Sequence, residues 1–341
     1  MKSKTANRIL LFILLLLAIN AKSQDIHFSQ FASSPLNLNP ALAGFFQGND
    51  RFILNNKNQW ATVTTPYVTF SGSFDMQLMK RKFLQDIIGI GVVVNNDVAG
   101  DSKMGTTEAS LALSYIKALN KRNNHLISFG IEAGFAQHKI DYANLSFDNQ
   151  FNGNYYDPTI ASSEKFLKNS YNYFDLSAGV HWFLQTRDRV SFSAGFAMFH
   201  INTPNLSFFD NSSVVLNSKE VVYANTSFDI KKSIDLIPSL LFMKQDNYYE
   251  VTYGATIKFI TDSSPFYYSA LNFGAFIRQN DAAILTAGLD IRKTSICISY
   301  DFNFSDLHPA SKYLGGYEIS LIYILSYQRH TKVKDIRCPI F

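Results

Sequence analysis

Apolar and polar residues alternate with period two through most of the chain from about Phe70 onward. At Ala109, Leu111, Leu113 and Tyr115 every second residue is apolar, with Glu108, Ser110, Ala112 and Ser114 between them. Phe129, Ile131, Ala133 and Phe135 repeat the pattern, interleaved with Ser128, Gly130, Glu132 and Gly134. Tyr317, Ile319, Leu321, Tyr323, Leu325 and Tyr327 do so again. Successive side chains of a strand point to opposite faces, so one face meets an apolar medium and the other meets water or small polar groups. The segments run to about ten residues, the length that crosses a bilayer at the strand tilt of a barrel. The pattern predicts an all-β transmembrane barrel, antiparallel and up-and-down, with lipid on its apolar face.

Strands are expected near 49–60, 67–78, 86–95, 106–117, 126–138, 172–184, 190–200, 221–231, 236–244, 249–260, 266–277, 282–292, 295–304 and 316–328. That makes about fourteen, an even number as in single-chain bacterial barrels. The links support the count. With the first strand rising from the periplasm, the links near 79–85, 118–125, 185–189, 232–235, 261–265 and 292–294 fall on the periplasmic side, and all are short. The long links near 139–171, 201–220 and 305–315 all fall on the external side, the asymmetry expected of an outer-membrane barrel.

The first residues have the form of an export signal. Lys2, Lys4 and Arg8 precede the apolar run Ile9–Leu17, and Ala21-Lys22-Ser23 supplies small residues for cleavage. The expected organisation is a signal peptide over 1–23, a periplasmic arm or plug over 24–48, an outer-membrane barrel over 49–328 and a periplasmic tail over 329–341. Composition agrees with a lipid-facing surface. Aromatic residues make up 15% of the chain and charged residues only 17%, against about a quarter charged in soluble domains. A net charge of +4 without a basic stripe gives no case for nucleic acid. Two cysteines, Cys297 and Cys338, cannot make a disulfide framework or a cysteine zinc site. No cofactor or metal motif is present.

The arm differs from the rest in chemistry, being rich in Asn, Ser and Pro. Asp25-Ile26-His27-Phe28-Ser29-Gln30-Phe31, followed by Ser34-Pro35-Leu36-Asn37-Leu38-Asn39-Pro40-Ala41-Leu42-Ala43-Gly44, resembles the opening of the PorP/SprF family of outer-membrane proteins of the type IX secretion and gliding system. Gln59-Trp60 resembles its following Gln-Trp pair, with Lys57 where the family prefers arginine. Ser299-Tyr300-Asp301 and Gly315-Gly316-Tyr317-Glu318-Ile319 resemble its later strands, with Tyr317 where histidine is favoured. Cys338-Pro339-Ile340-Phe341 resembles its Cys-Pro-x-Phe ending. The resemblance implies a non-enzymatic accessory barrel that helps secrete, or holds at the cell surface, large adhesins. Its implied partners are the secretion components and the C-terminal sorting domains of those cargoes. Phe28, Ser29, Gln30, Asn39, Pro40, Gly44 and Trp60 are the candidates for docking the arm against the barrel or a partner.

Charges facing lipid are costly, so the charged residues on strands should face the lumen. Glu108, Glu132, Asp175, Glu250, Asp290, Asp301 and Glu318 are expected there, with Lys258, Arg278 and Arg292 as cationic partners and His181 beside them. These groups would make either a plugging salt-bridge network or a polar conduit. Ser177, His181 and Asp175 share a face, which leaves a barrel hydrolase as one further reading. A channel for uptake or diffusion of a small solute is the other. Cys297 should face the lumen near the periplasmic rim, within reach of Cys338 for a disulfide.

Overall fold

The computed structural model describes residues 25–60, 65–80, 86–162, 164, 168–208, 213–264, 267–305 and 311–326. The expected signal peptide, the tail and Cys338 lie outside them. Fourteen strands form one closed barrel. They are β1 (Asp50–Gln59), β2 (Tyr67–Lys80), β3 (Ile87–Ala99), β4 (Met104–Ala118), β5 (His125–Lys139), β6 (Ser170–Arg187) and β7 (Val190–Phe199). The second half comprises β8 (Lys219–Lys231), β9 (Ile234–Gln245), β10 (Tyr248–Ser264), β11 (Tyr267–Arg278), β12 (Ala282–Ile291), β13 (Thr294–Asn303) and β14 (Leu314–Leu325). Each strand pairs antiparallel with its sequence neighbours, and β1 closes on β14 in register from Asp50↔Leu325 to Gln59↔Gly316. Closure leaves no unpaired sheet edge, which hydrocarbon would not tolerate.

The alternation becomes the two faces of the wall. On β5, Phe129, Ile131, Ala133 and Phe135 are exposed outward, whereas Ser128, Gly130, Glu132 and Gly134 are buried within. On β1, Phe52 and Leu54 point out while Arg51, Ile53, Asn55 and Lys57 are buried. The long links, 140–169, 200–218 and 304–313, gather at one end, taken as external, and two-residue turns such as 188–189, 232–233 and 292–293 gather at the other.

The core lies inside the barrel and is built on residues 25–49. Helical turns at Phe31–Ser33, Pro35–Leu38 and Pro40–Leu42 compact this arm within the lumen. Phe31, Leu38, Leu42 and Phe45 pack with Ile87, Ile116, Leu126, Phe183, Phe199 and Leu241 of the wall. Leu36 and Ala43 pack with Val93 and Ala112. Burial of each large apolar side chain contributes about 1.5–3 kcal/mol, so the arm carries much of the apolar stabilisation that the barrel's lipid face cannot supply.

Candidate functional site

The arm threads the lumen from its external end to its periplasmic end. Asp25 meets Lys219, the first residue of β8, and His200 Nε2 just beyond β7 at 3.2 Å. His200 Nδ1 reaches Asp175 at 3.0 Å. Burial works against the imidazolium, but hydrogen bonds to Asp175 and Asp25 outweigh it, and the His200 pKa is pushed up to about 9. Burial also works against the Asp25 carboxylate. Lys219, with His200, overcomes that and holds it well below the usual carboxylate range.

Across the lumen from this clamp lies a charged seat. Arg278 is 2% exposed and lies 3.1 Å from Asp301, 3.4 Å from Glu250 and 2.9 Å from Asp281. Its Nη2 donates to Ser29 Oγ at 2.7 Å, and Ser29 Oγ donates to Asp301 at 2.7 Å. Glu318 accepts the backbone N–H groups of Ser29 and Gln30 at 2.8 and 3.2 Å. The Gln30 amide donates to Ser299 Oγ at 3.0 Å and accepts from Ser320 Oγ at 2.7 Å. Lys57 donates to His27 O at 3.0 Å. Opposite charges therefore meet through the arm, and two arm N–H groups that no helix or sheet satisfies are bonded to a carboxylate.

The chain then crosses to the β3–β6 wall. Asn39 donates to Val180 O and Phe196 O at 2.9 and 3.2 Å while its Oδ1 accepts Ala41 N at 2.8 Å. Pro40 starts the next turn. Here the wall is glycine because nothing larger fits. A Cβ on Gly130 would stand 2.2 Å from Ala41 N, and one on Gly179 would stand 2.1 Å from Asn39 Oδ1. Ser128 and Ser114 donate to Ala41 O and Ala43 O at 2.7 and 2.6 Å. Gly44, with φ of +66°, turns the chain toward β1 and donates to Asp75 at 2.8 Å. Left-handed backbone is ready for glycine and strained for most others.

The predicted residues divide clearly. Phe28, Ser29, Gln30, Asn39, Pro40 and Gly44 are all buried in the arm's seat. Trp60 lies elsewhere: it directly follows β1, its backbone N–H donates to Gly315 O at 2.9 Å and its ring lies edge-on to Tyr67, in the external rim. Glu250, Arg278, Asp301 and Glu318 form the seat, and Asp175 joins the His200 clamp. Lys258 and Asp290 pair at 3.2 Å in the periplasmic half. Glu132 is buried, with its Oε2 unbonded among the described residues, and Glu108 is half-buried. Arg292 is a correction to the lumenal set. It is exposed in the β12–β13 turn with its guanidinium 5.0 Å over the Tyr267 ring. Strand alternation does not extend into a two-residue turn, so its parity carried no information. Sequence reasoning misses Arg51, Asp75, Lys219 and His200, and also Gln77, whose amide donates to Gly44 O and Phe46 O at 2.9 Å each. Arg51 and Asp75 were findable as charges on inward strand positions, and Lys219 and His200 at strand ends were not.

The hydrolase set does not assemble. His181 Nδ1 is 2.9 Å from Tyr223 Oη, its ring packs on Phe45, and Asp175 is engaged by His200. Ser177 Oγ has no hydrogen bond among the described residues.

Under the arm, a cavity of about 560 Å³ occupies the periplasmic half beside β7–β14. Ser29–Ser33 roof it, and its walls carry Ser191, Asn225, Ser239, Thr256, Asn272 and Cys297. Cys297 thus lies on the lumenal wall.

Comparison with solved structures returns outer-membrane barrels at low identity. The Pseudomonas putida toluene transporter TodX aligns at 10% identity with a TM-score of 0.48, covering 88% of this chain and 94% of that one. The CymD monoaromatic hydrocarbon channel aligns at 11% identity and 0.47, covering 87% and 94%. CdiB from Acinetobacter baumannii aligns at 8% and 0.43, covering 81% and 60%. No curated protein matches the sequence. The family model of the type IX secretion system membrane protein PorP/SprF matches residues 20–323. A closed fourteen-strand barrel with lipid-facing alternation, matched over nearly its whole length by that model, belongs to the PorP/SprF family of type IX secretion and resides in the outer membrane.

Proposed function

We propose that this protein is a non-catalytic accessory barrel that holds secreted adhesin-like cargo at the cell surface, engaging the cargo's C-terminal sorting domain through its external loops. The observation that carries the reading is the arm. It fills the β1–β6 side of the lumen and bonds to both ends of the barrel, which suits a rigid anchor better than a conduit. The external links 140–169 and 200–218 are the longest between strands, with a cluster of Tyr171, His138 and Phe208 at their base, rings 4.7–5.7 Å apart. The test replaces residues 145–162 by a short Gly/Ser link. Barrel assembly should persist while surface display of a cargo bearing the sorting domain is lost. Undiminished display refutes the reading.

A solute channel is the second reading, favoured by the polar cavity alone. It requires ion current in planar bilayers, whereas the anchor reading expects none above background.

A further inference from the structure

We infer that the periplasmic rim of the barrel is a binding surface for the anionic phospholipid headgroups of the leaflet it faces. Its turns are built on cations. Lys121 and Arg122 lie in the β4–β5 link, and Arg187 closes β6. Lys231 closes β8 with Lys232 following, and Arg292 and Lys293 form the β12–β13 turn. All are exposed, and none has an ion pair among the described residues. Arg189 donates to Lys231 O and Lys232 O at 3.1 and 2.5 Å, which fixes the β8–β9 turn and the two lysines it carries.

Most acids of the same end are turned inward. Asp235 accepts Arg189 Nε at 2.9 Å and Asp290 pairs with Lys258 at 3.2 Å, all four on the cavity wall. Asp229 stands opposite Asp235 in the ladder, and Asp188 lines the cavity. Asp86 is buried and accepts the Tyr115 hydroxyl at 2.6 Å. Asp262, near the end of β10, is half-buried. The rim therefore presents a positive surplus to its surroundings. The external end does not, since exposed Asp101, Asp141 and Glu220 sit there among exposed Lys103, Lys139 and Lys244.

Height on the wall favours lipid over an acidic protein partner. Ile230 and Ile291 are the last exposed apolar side chains of β8 and β12. Lys231, Lys232, Arg292 and Lys293 follow within two residues, about 7 Å along the chain. The headgroup layer is about 5–8 Å deep on each side of the hydrocarbon, so these cations lie within it. Two cations also face lipid directly. Lys117 takes the parity of Leu113 and Tyr115 on the exposed side of β4. An ammonium there is stable when its stem runs along the wall to the headgroups. The Arg292 guanidinium lies 5.0 Å over the ring of Tyr267, which shares the outward parity of Leu271 and Phe273 on β11. Exposed Trp182, whose Nε1 donates to His125 Nε2 at 2.9 Å, supplies an interfacial ring near the same rim.

The chemistry selects by net charge. Arginine meets a phosphodiester through paired N–H donors and lysine meets it as a point charge. A zwitterionic headgroup brings its own ammonium, which cancels much of the attraction, whereas an anionic one does not. Cations spread over four turns contact several headgroups at once, so the surface is an annulus rather than a single pocket, and it weakens with added salt.

The experiment exchanges the full-length protein into micelles holding equal amounts of phosphatidylglycerol and phosphatidylcholine, and native mass spectrometry identifies the lipid it retains. Phosphatidylglycerol should be retained several-fold over phosphatidylcholine. A rim variant combines Lys121→Gln, Arg122→Gln, Lys231→Gln, Lys232→Gln, Arg292→Gln and Lys293→Gln, and is first shown to give a heat-modifiable folded band. It should lose most of the preference. The β8–β9 and β12–β13 pairs, exchanged separately, should each lose part of it. An external variant with Lys103→Gln, Lys139→Gln and Lys244→Gln should keep it. Equal retention of the two lipids by the parent, an unchanged preference in the rim variants, or a loss in the external variant overturns the proposal. Full displacement of the lipid by inorganic phosphate at the lipid's own concentration would assign the surface to free phosphate. A rim variant that keeps the lipid preference but loses co-purifying proteins would assign it to an acidic protein partner. Either result also overturns the proposal.

Discussion

Arg51 and Asp75, directly opposite across the β1–β2 ladder, share two hydrogen bonds of 2.9 and 2.8 Å, and both side chains are essentially sealed from solvent at 1% and 0% exposure. Asp75 also accepts Gly44 N, Arg51 donates to Leu42 O at 3.2 Å, and its guanidinium lies 4.5 Å above the Phe46 ring. The pair thus fastens the arm's periplasmic end to the barrel seam. Removing one partner strands a buried charge, at a cost of about 3–5 kcal/mol. Asp75→Asn should therefore lower the temperature at which the folded band of an unboiled gel converts to the unfolded one, and Arg51→Met with Asp75→Leu should recover part of the loss. An Asp75→Asn barrel as heat-resistant as the parent contradicts a structural role for the pair.

The external clamp should respond to pH. The His200 pKa is raised to about 9, so its contribution is complete below the ordinary histidine value of about 6.5 and is lost as pH rises through about 9. Asp25 is shifted the other way, and its contribution is complete above the ordinary carboxylate value and fails only in strong acid. A cysteine at Ile26 should accordingly be labelled slowly from pH 5 to 6.5 and faster toward pH 9, after correction for thiolate content. His200→Gln should flatten the profile. A parallel rise in both proteins would assign the change to something other than His200.

Close approach at Gly130 makes a steric prediction. Gly130→Val places side-chain atoms where Ala41 N now lies, and such overpacking costs about 1–3 kcal/mol. The backbone ladder does not use the side chain at this position, so assembly should continue while the arm becomes sensitive to protease added to detergent-solubilised protein. Gly72→Ala, on β2, where the nearest atom to an added Cβ is 3.6 Å away, is the control for handling. Equal arm sensitivity in both variants would remove the packing account.

The two faces of the wall predict opposite responses to the same substitution. Ile131 is 62% exposed near the middle of β5, and arginine there should cost about 2–4 kcal/mol in the bilayer midplane. Ser239→Arg, on the cavity wall, should be tolerated. Ser114→Arg, also inward, should not be, because Ser114 Oγ is bonded to Ala43 O and buried beneath the arm. Matching heat-modifiability of Ile131→Arg and Ser239→Arg would show that the wall has been turned inside out.

Strand positions were legible because lipid leaves little choice on one face. Expected and observed strands differ mainly at their ends: β6 was expected over 172–184 and runs from Ser170 to Arg187, and β10 continues past 260 to Ser264. Beyond the hydrocarbon the ladder continues through backbone hydrogen bonds alone, so the side-chain pattern fades before the strand does. The inward carboxylates Glu250, Asp301 and Glu318 were legible for the same reason, since a charge cannot face lipid.

Composition along the chain thus decided the fold class, the strand series and which side of the wall each residue takes, because period-two alternation against lipid is a local constraint. Partner choice within the lumen was decided only in three dimensions. Ser29 joins Arg278 to Asp301, His200 joins Asp25 to Asp175, and Gly179 admits Asn39 because a single arm crosses the barrel on one path. Those pairings span as many as 272 residues of sequence, and no local periodicity can record which inward group the arm will reach.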